Sequence, residues 1–426
     1  MKKILLLGIY LSICTVICSA VNDNTLKTLC SVGQYKIGTI PQLKVGINRI
    51  VNDTEQHAQA YKSLVAIADR SRLSREVAKK LSYDDYKIFE ENLDFNEKLA
   101  NEALACAIVG IAQANTKYIA RTLDILKSFR QNVIPGTNYV FYDSVKLNEK
   151  LAKKIIITLA KTYDLSYSFS SASEKDANYN WLVNMVQHIL DETRWNVWRD
   201  TPESVWANTA LGTVAVATRR QNIVNLADNR AKRQLREFCS EDGSWKNLEW
   251  TAAVEVSEAL AILADVTLNH ITNNLYYFKN SRNVNYLYTM LKAPISYMTG
   301  YGVIPGARGV PSKTLSGSAY MLGYKAYRDI MFAQTAFLDT NISPVNLLFN
   351  YIKPDLKLNS NNKQGTIVND KIGWGILRSN PDPQTAFYIR LQYGKYNSVL
   401  PATDYLSVFF ATPTAPISYY KSWQKN

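Results

Sequence analysis

Three short polar islands carry the residues whose types and spacing could do chemistry. In Arg194-Trp195-Asn196-Val197-Trp198-Arg199-Asp200, cations, indoles and an amide crowd together just before a helix start. The Asn196 amide can donate to a carboxylate, Trp195 or Trp198 can stack on a sugar ring, and Arg194 and Arg199 flank them with positive charge. A solvated turn with its tryptophans packed inward accounts for the same residues. The second island, Glu241-Asp242-Gly243-Ser244-Trp245-Lys246-Asn247, is a turn entering a helix at Trp250. By itself Asp-Gly-Ser signals only a turn, while Trp245, Lys246 and Asn247 add an indole, an ammonium and an amide. The third runs from Tyr297 to Gly309 through Tyr301 and Arg308. Its glycines allow close backbone approach, and Arg308 stands where it could clamp a carboxylate. His270, followed by Tyr276 and Tyr277, is the histidine in the richest polar company; a helix C-terminus with a satisfied side chain is the alternative.

The chain has three histidines, His57, His188 and His270, and lacks H-E-x-x-H, G-x-S-x-G and G-x-x-x-x-G-K-[ST]. Metalloprotease, ordinary serine hydrolase and P-loop chemistry are therefore disfavoured. No cysteine pair has C-x-x-C spacing, so no thiolate zinc site is expected, and the scheme below needs no metal or other cofactor. Paired carboxylates for glycoside hydrolysis stay open, although nothing local nominates a pair. The formal charge of +13 is spread along the chain. Such a field favours polyanions: an acidic polysaccharide, an anionic cell-surface glycan or nucleic acid. Nucleic acid is disfavoured by the absence of zinc-finger, RNP-like or basic-zipper patterns. The 8 tryptophans and 27 tyrosines suit a sugar-binding groove and a packed core equally well.

The elements that must position these islands are helical. The opening MKKILLLGIYLSICTVICSA has the layout of a secretory signal, with a leader over 1–20, so a secreted or extracytoplasmic location is expected, with no integral membrane span once the leader is cleaved. Cys14 and Cys18 leave with it; Cys30, Cys106 and Cys239 remain and allow at most one internal disulfide. From about Asp53 to Ile295, apolar residues recur at three- and four-residue spacing. Glu91 to Phe129 fits two close-packed helices or one long bent helix. Further helices are expected at Leu147–Ala160, Ala177–Leu190, Pro202–Thr218, Val224–Phe238, Trp250–Ile271 and Val284–Leu291. After Tyr351 the chain turns polar, then strand-like at Lys371–Ser379, Thr385–Tyr393 and Tyr405–Phe410. Helices joined without intervening strands predict a mainly α protein, an incomplete (α/α) toroid of antiparallel helix pairs followed by a short β-rich C-terminal segment. The expected division is a toroid domain over 21–355 and the β-rich segment over 356–426.

The order helical body, Asn-x-Trp, Asp-Gly-Ser plus an aromatic, Gly-Arg loop and strand-rich segment resembles the polysaccharide lyases of the hyaluronate, chondroitin and xanthan group. That resemblance implies an incomplete (α/α) toroid and cleavage of uronate polymers by β-elimination. Asn196-Val197-Trp198 stands where the family has Asn-Trp-Trp, making Asn196 the match to the residue that neutralises the uronate carboxylate. Asp242-Gly243-Ser244-Trp245 matches the segment leading to the catalytic histidine, but Leu248 occupies that histidine's place and Glu255, Val256 and Ser257 lie where the tyrosine is expected. Arg308 matches the arginine of the downstream loop. The resemblance therefore implies a kept carboxylate clamp and a displaced acid/base pair, which His270 with Tyr276, Tyr277 or Tyr301 could replace. The alternative is a non-catalytic secreted protein that binds a glycan or host surface on the same scaffold.

Overall fold

The computed structural model describes residues 53–74, 78, 86–132, 139–192, 200–246, 250–299, 302–304, 313–354, 366–369, 374–379, 386–392, 406–411 and 421–423. They group into two compact units, one within Met1–Glu192 with Thr213–Arg220, the other within Thr193–Gly212 with Gln221–Asn426.

The first unit is built from α1 (Glu55–Leu73), α2 (Tyr86–Ala112), α3 (Thr116–Asn132), α4 (Tyr139–Ser166) and α5 (Ala172–Glu192). Thr54 starts α1 by accepting the His57 N–H at 3.2 Å, the side-chain cap that replaces a missing intrahelical acceptor. The Glu91–Phe129 stretch is two helices, broken where Ala114 takes a left-handed φ of 50°. They fold back on each other: Gly110 lies against Ile119, and the Thr122 hydroxyl donates to the Ala103 carbonyl. The expected helices at 147–160 and 177–190 fall inside α4 and α5.

Helix α6 (Pro202–Ala217) belongs to the second unit as far as Gly212, and α7 (Gln221–Phe238), α8 (Trp250–Thr267) and α9 (Tyr286–Tyr297) follow it there. Helix α6 is buried around its whole circumference from Ser204 to Thr218, and α8 nearly so. A helix hydrophobic on every side has no polar face, so the polar groups of α6 must be satisfied inside. The Asn208 amide donates to the Gln234 side chain at 2.8 Å, Gln234 donates to Ser204 at 2.8 Å, and the Thr209 hydroxyl reaches the Ala259 carbonyl at 2.9 Å. Each such bond, if lost, would leave a buried group at a cost of about 1–3 kcal/mol. These contacts also fix direction. Helix α7 runs against α6, because Ser204 and Asn208 meet Gln234 whereas Gly212 meets Ala227. Helix α8 runs with α6, because Thr209 meets Ala259 and Gly212 meets Leu263 and Thr267.

The helical block continues past the third polar island with α10 (Gly317–Tyr327), α11 (Ile330–Ala336) and α12 (Pro344–Asn350), three helices whose short lengths hid their periodicity. Lys313 pairs with Glu255 at 2.8 Å and Lys325 with Asp265 at 2.9 Å, so α10 is parallel to α8. Helix α9 is antiparallel to both: Tyr297 packs on Trp250 with ring centroids 4.8 Å apart, and the Tyr320 hydroxyl donates to the Leu291 carbonyl. The packing is that of α/α-toroid helix pairs. A two-stranded hairpin, β1 (Val303–Ile304) with β2 (Lys313–Thr314), interrupts it.

The C-terminal part is a five-stranded antiparallel sheet in chain order, β3 (Ile367–Asn369), β4 (Trp374–Arg378), β5 (Tyr388–Gln392), β6 (Leu406–Ala411) and β7 (Lys421–Trp423). The three expected strands are β4, β5 and β6. Strand β3 emerges from the end of the polar stretch that reads as linker, and β7 carries too few residues to register as an alternation. Among the described residues no helix is long and apolar enough to cross a membrane.

Cys106 and Cys239 are buried and unbridged. Burial pushes the Cys106 thiol up to about 11 and the Cys239 thiol up to about 12. At pH 8 the thiolate fraction of Cys106 is roughly one part in a thousand, and the thiolate is the reactive form. Native protein exposed to iodoacetamide at pH 8 should leave both unmodified, with mass spectrometry finding label there only after unfolding.

Candidate functional site

The N-termini of the parallel helices α6, α8 and α10 share one end of the second unit, and the described flanks of all three polar islands lie there. The first flank is the start of α6. Thr201 caps it, accepting the Ser204 N–H at 3.3 Å, and Pro202 occupies the first helical position, where its missing N–H costs nothing. One residue earlier, the Asp200 carbonyl accepts the Trp245 indole N–H at 2.7 Å. That bond ties the end of the first island to the second.

The second island is a tight turn closing a bridge between Cys239 and Trp245. Ser240 N–H donates to the Ser244 carbonyl at 2.8 Å, and Asp242 accepts both the N–H and the hydroxyl of Ser244. Gly243 takes φ +84°, and a Cβ there would sit 2.5 Å from the Thr289 carbonyl oxygen of α9. The turn therefore lies directly on α9. Trp245 is buried against Phe238, with centroids 5.8 Å apart, while Lys246 is exposed and donates to the Glu237 carbonyl.

The third island leaves α9 at Tyr297, packed on Trp250 beside the second island. Thr299 N–H donates to the Val303 carbonyl at 2.8 Å, and Leu315 N–H donates to the Gly302 carbonyl at 2.8 Å. Gly302 has φ +73°, and a Cβ there would meet the Leu338 Cβ at 2.9 Å; this is the close approach expected of a glycine in that loop. On the far side of the hairpin, Lys313 is held by Glu255 of α8.

Arg194, Trp195, Asn196, Trp198, Arg199, Asn247, Tyr301 and Arg308 lie outside the described residues. His270, Tyr276, Tyr277, Trp245 and Lys246 lie within them. His270 follows the C-terminus of α8, its carbonyl accepting from Gln221 and its N–H donating to the Thr267 carbonyl. Helix α8 has 18 residues, so at 1.5 Å per residue about 26 Å separates its two ends. The structure thus brings Trp245 and Lys246 to the island end and sets His270 at the other. Tyr276 is fully buried, donating to the Ala261 carbonyl at 3.2 Å. Burial, then the Asp265 carboxylate, pushes its phenol well above its ordinary range. Tyr277 is 56% exposed; a separate cluster has Lys292 donating to the Tyr288 hydroxyl and Tyr288 donating to Asp329, both at 2.8 Å.

Sequence reasoning met Glu255 only as a departure from the family pattern and passed over Lys313, Arg378 and Tyr388; together these fix the flanks of the third island from two sides. The available signal was phase: Arg378 and Arg390 alternate in step with Ile376 and Tyr388, so cations occupy the inward face of a sheet.

Among solved structures, heparinase III superposes with a TM-score of 0.52 at 12% identity, over 82% of this chain and 54% of that one. The likeness is one of fold, an incomplete α/α toroid. Alginate lyase A1-III from Sphingomonas species A1 gives a TM-score of 0.49 at 10% identity, over 75% of this chain and 96% of that one. The same lyase, substituted at one residue and complexed with a tetrasaccharide, gives 0.48 at 13% identity, over 69% of this chain and 95% of that one. No protein-family model matches the chain, and no curated protein sequence does.

On this toroid scaffold the Gly243 turn is a point of close contact that no side chain fits. Gly243→Ala combines a left-handed backbone with a backbone clash and should cost about 1–3 kcal/mol; a thermal melt within a degree of the unsubstituted protein would contradict the packing described.

Proposed function

We propose that this is an exported protein that acts on an acidic, uronate-containing polysaccharide by β-elimination, at the end of the second unit where α6, α8 and α10 begin. The observation that carries the reading is the meeting of the described flanks of all three polar islands at that end, through Asp200 with Trp245, Trp250 with Tyr297, and Glu255 with Lys313. Three helix N-termini add partial positive charge to an already basic chain. Negative polymer is what such a surface attracts.

Elimination requires removal of the proton alpha to the carboxylate, neutralisation of the developing dianion and protonation of the leaving glycosidic oxygen. In this reading Asn196 and Arg308 hold the uronate carboxylate, making the alpha proton more acidic. Tyr301 takes that proton and returns one to the leaving oxygen. Trp195 and Trp198 stack on neighbouring sugars, while Arg194, Arg199, Lys246 and Asn247 meet flanking carboxylates and hydroxyls. Tyr301 is preferred over Tyr276, whose hydroxyl is buried and engaged, and over Tyr277, which follows it directly in the chain. The leader over 1–20 fits a substrate outside the cell. The toroid domain and β-rich segment are proposed as expected, over 21–355 and 356–426.

Leu248 at the expected histidine, and His270 about 26 Å away along α8, favour a second reading in which the protein holds the glycan without cutting it. Incubation with hyaluronate, chondroitin, alginate and heparin-like chains separates the two, because each eliminative cut creates an ultraviolet-absorbing unsaturated uronate. In the lyase reading one polymer gives rising absorbance, and Asn196→Ala or Arg308→Ala lowers turnover on the order of 10²–10³-fold. Retention of a polymer with flat absorbance selects the binder. Unchanged turnover in either variant removes that residue from the site.

A further inference from the structure

The last turn of α9 is where side chains of the C-terminal sheet reach the helices. A helix ends with carbonyls that have no donor of their own, and three consecutive ones here are met by the sheet. Arg378 Nη2 donates to the Ser296 carbonyl at 2.8 Å and to the Met298 carbonyl at 3.2 Å; between them, the Tyr388 hydroxyl donates to the Tyr297 carbonyl at 2.9 Å. Arg378 and Tyr388 are cross-strand partners in β4 and β5, with the guanidinium 5.4 Å from the tyrosine ring centroid. A cation at the negative end of a helix is favourable. Burial raises the Tyr388 phenol far above its ordinary value, so it stays a donor at any working pH.

The next residue is Thr299, which opens the neck of the third island. Thr299 N–H reaches Val303, Gly302 N–H reaches Thr299 and Leu315 N–H reaches Gly302, so an error in where α9 ends would pass directly into this ladder. We propose that Arg378 and Tyr388 are positioning residues that fix the end of α9 and hold Thr299, Gly302–Ile304 and Lys313–Leu315 in register, making the C-terminal sheet the support of the β1–β2 hairpin. Only the further step, that the loop this hairpin closes handles glycan, rests on the function proposed above. A sheet that supported only its own strands would have no reason to place a guanidinium and a phenol on three successive carbonyls of one helix end.

Hydrogen exchange on the full-length protein tests this with Tyr388→Phe, which removes one hydroxyl and keeps the ring, and Arg378→Lys, which keeps the charge and loses the planar donor group. The expected result is faster exchange confined to peptides covering Thr299–Leu315, by roughly two- to tenfold for one lost hydrogen bond, with α6 and α8 unchanged. Unchanged exchange in that neck overturns the proposal, as does a uniform rise across the second unit, which would mark an ordinary core contact. Glycan retention by the same variants reads the other step separately. A loosened neck with weakened retention supports both, whereas a loosened neck with unaltered retention leaves the clamp standing and removes this loop from the glycan site.

Discussion

Burial of the first part of α6, from Ser204 to Gly212, and near-complete burial of α8 set the terms for the rest of the second unit. Helices enclosed on all sides can neither slide nor rotate without exposing apolar surface or stranding a polar group. The Asn208–Gln234–Ser204 chain and the Thr209 bond to Ala259 leave one satisfied register. Close contact at Gly212, where a Cβ would lie 2.4 Å from Leu263, keeps α6 and α8 in direct van der Waals contact. Once these two run in parallel, their neighbours α7 and α9 must return in the opposite direction. The connections into the N-termini of α6, α8 and α10 then fall at one end.

That asymmetry gives the unit two chemically different ends. The island end carries the described flanks of the three polar islands beside helix N-termini, and its turns are anchored by backbone hydrogen bonds and by glycines at positive φ. The other end holds His270 and, nearer the middle of α8, the buried Tyr276 with its neighbouring tyrosines. Anchors at the island end come from elements distant in sequence: Glu255 holds Lys313, Trp245 holds Asp200, and Arg378 with Tyr388 holds the end of α9. Each uses a buried or half-buried donor on a backbone carbonyl or a carboxylate, the arrangement in which a hydrogen bond also restricts geometry.

The tryptophans illustrate how composition misleads about sites. Trp181, Trp206, Trp245 and Trp250 are buried, so four of the eight that suit a sugar groove are core. Trp245 was the ambiguous one. Its ring packs on Phe238 while its N–H holds Asp200, so it fills the core and braces the first island at once.

The sequence by itself determined the helical class, the antiparallel pairing, the three main strands and the turn at Asp242-Gly243-Ser244, because each is written in local periodicity, caps and turn residues. It could not tell whether Glu91–Phe129 bends or breaks, since one left-handed residue at Ala114 decides that. The short helices between Gly317 and Asn350 were hidden for a related reason: seven to eleven residues hold too few turns to show a face. Only the tertiary structure decided which polar islands share an end. Residues as close in sequence as Lys246 and His270 are kept apart by the rigid length of α8, whereas Asp200 and Trp245, or Tyr297 and Tyr388, are joined through contacts that no local pattern encodes.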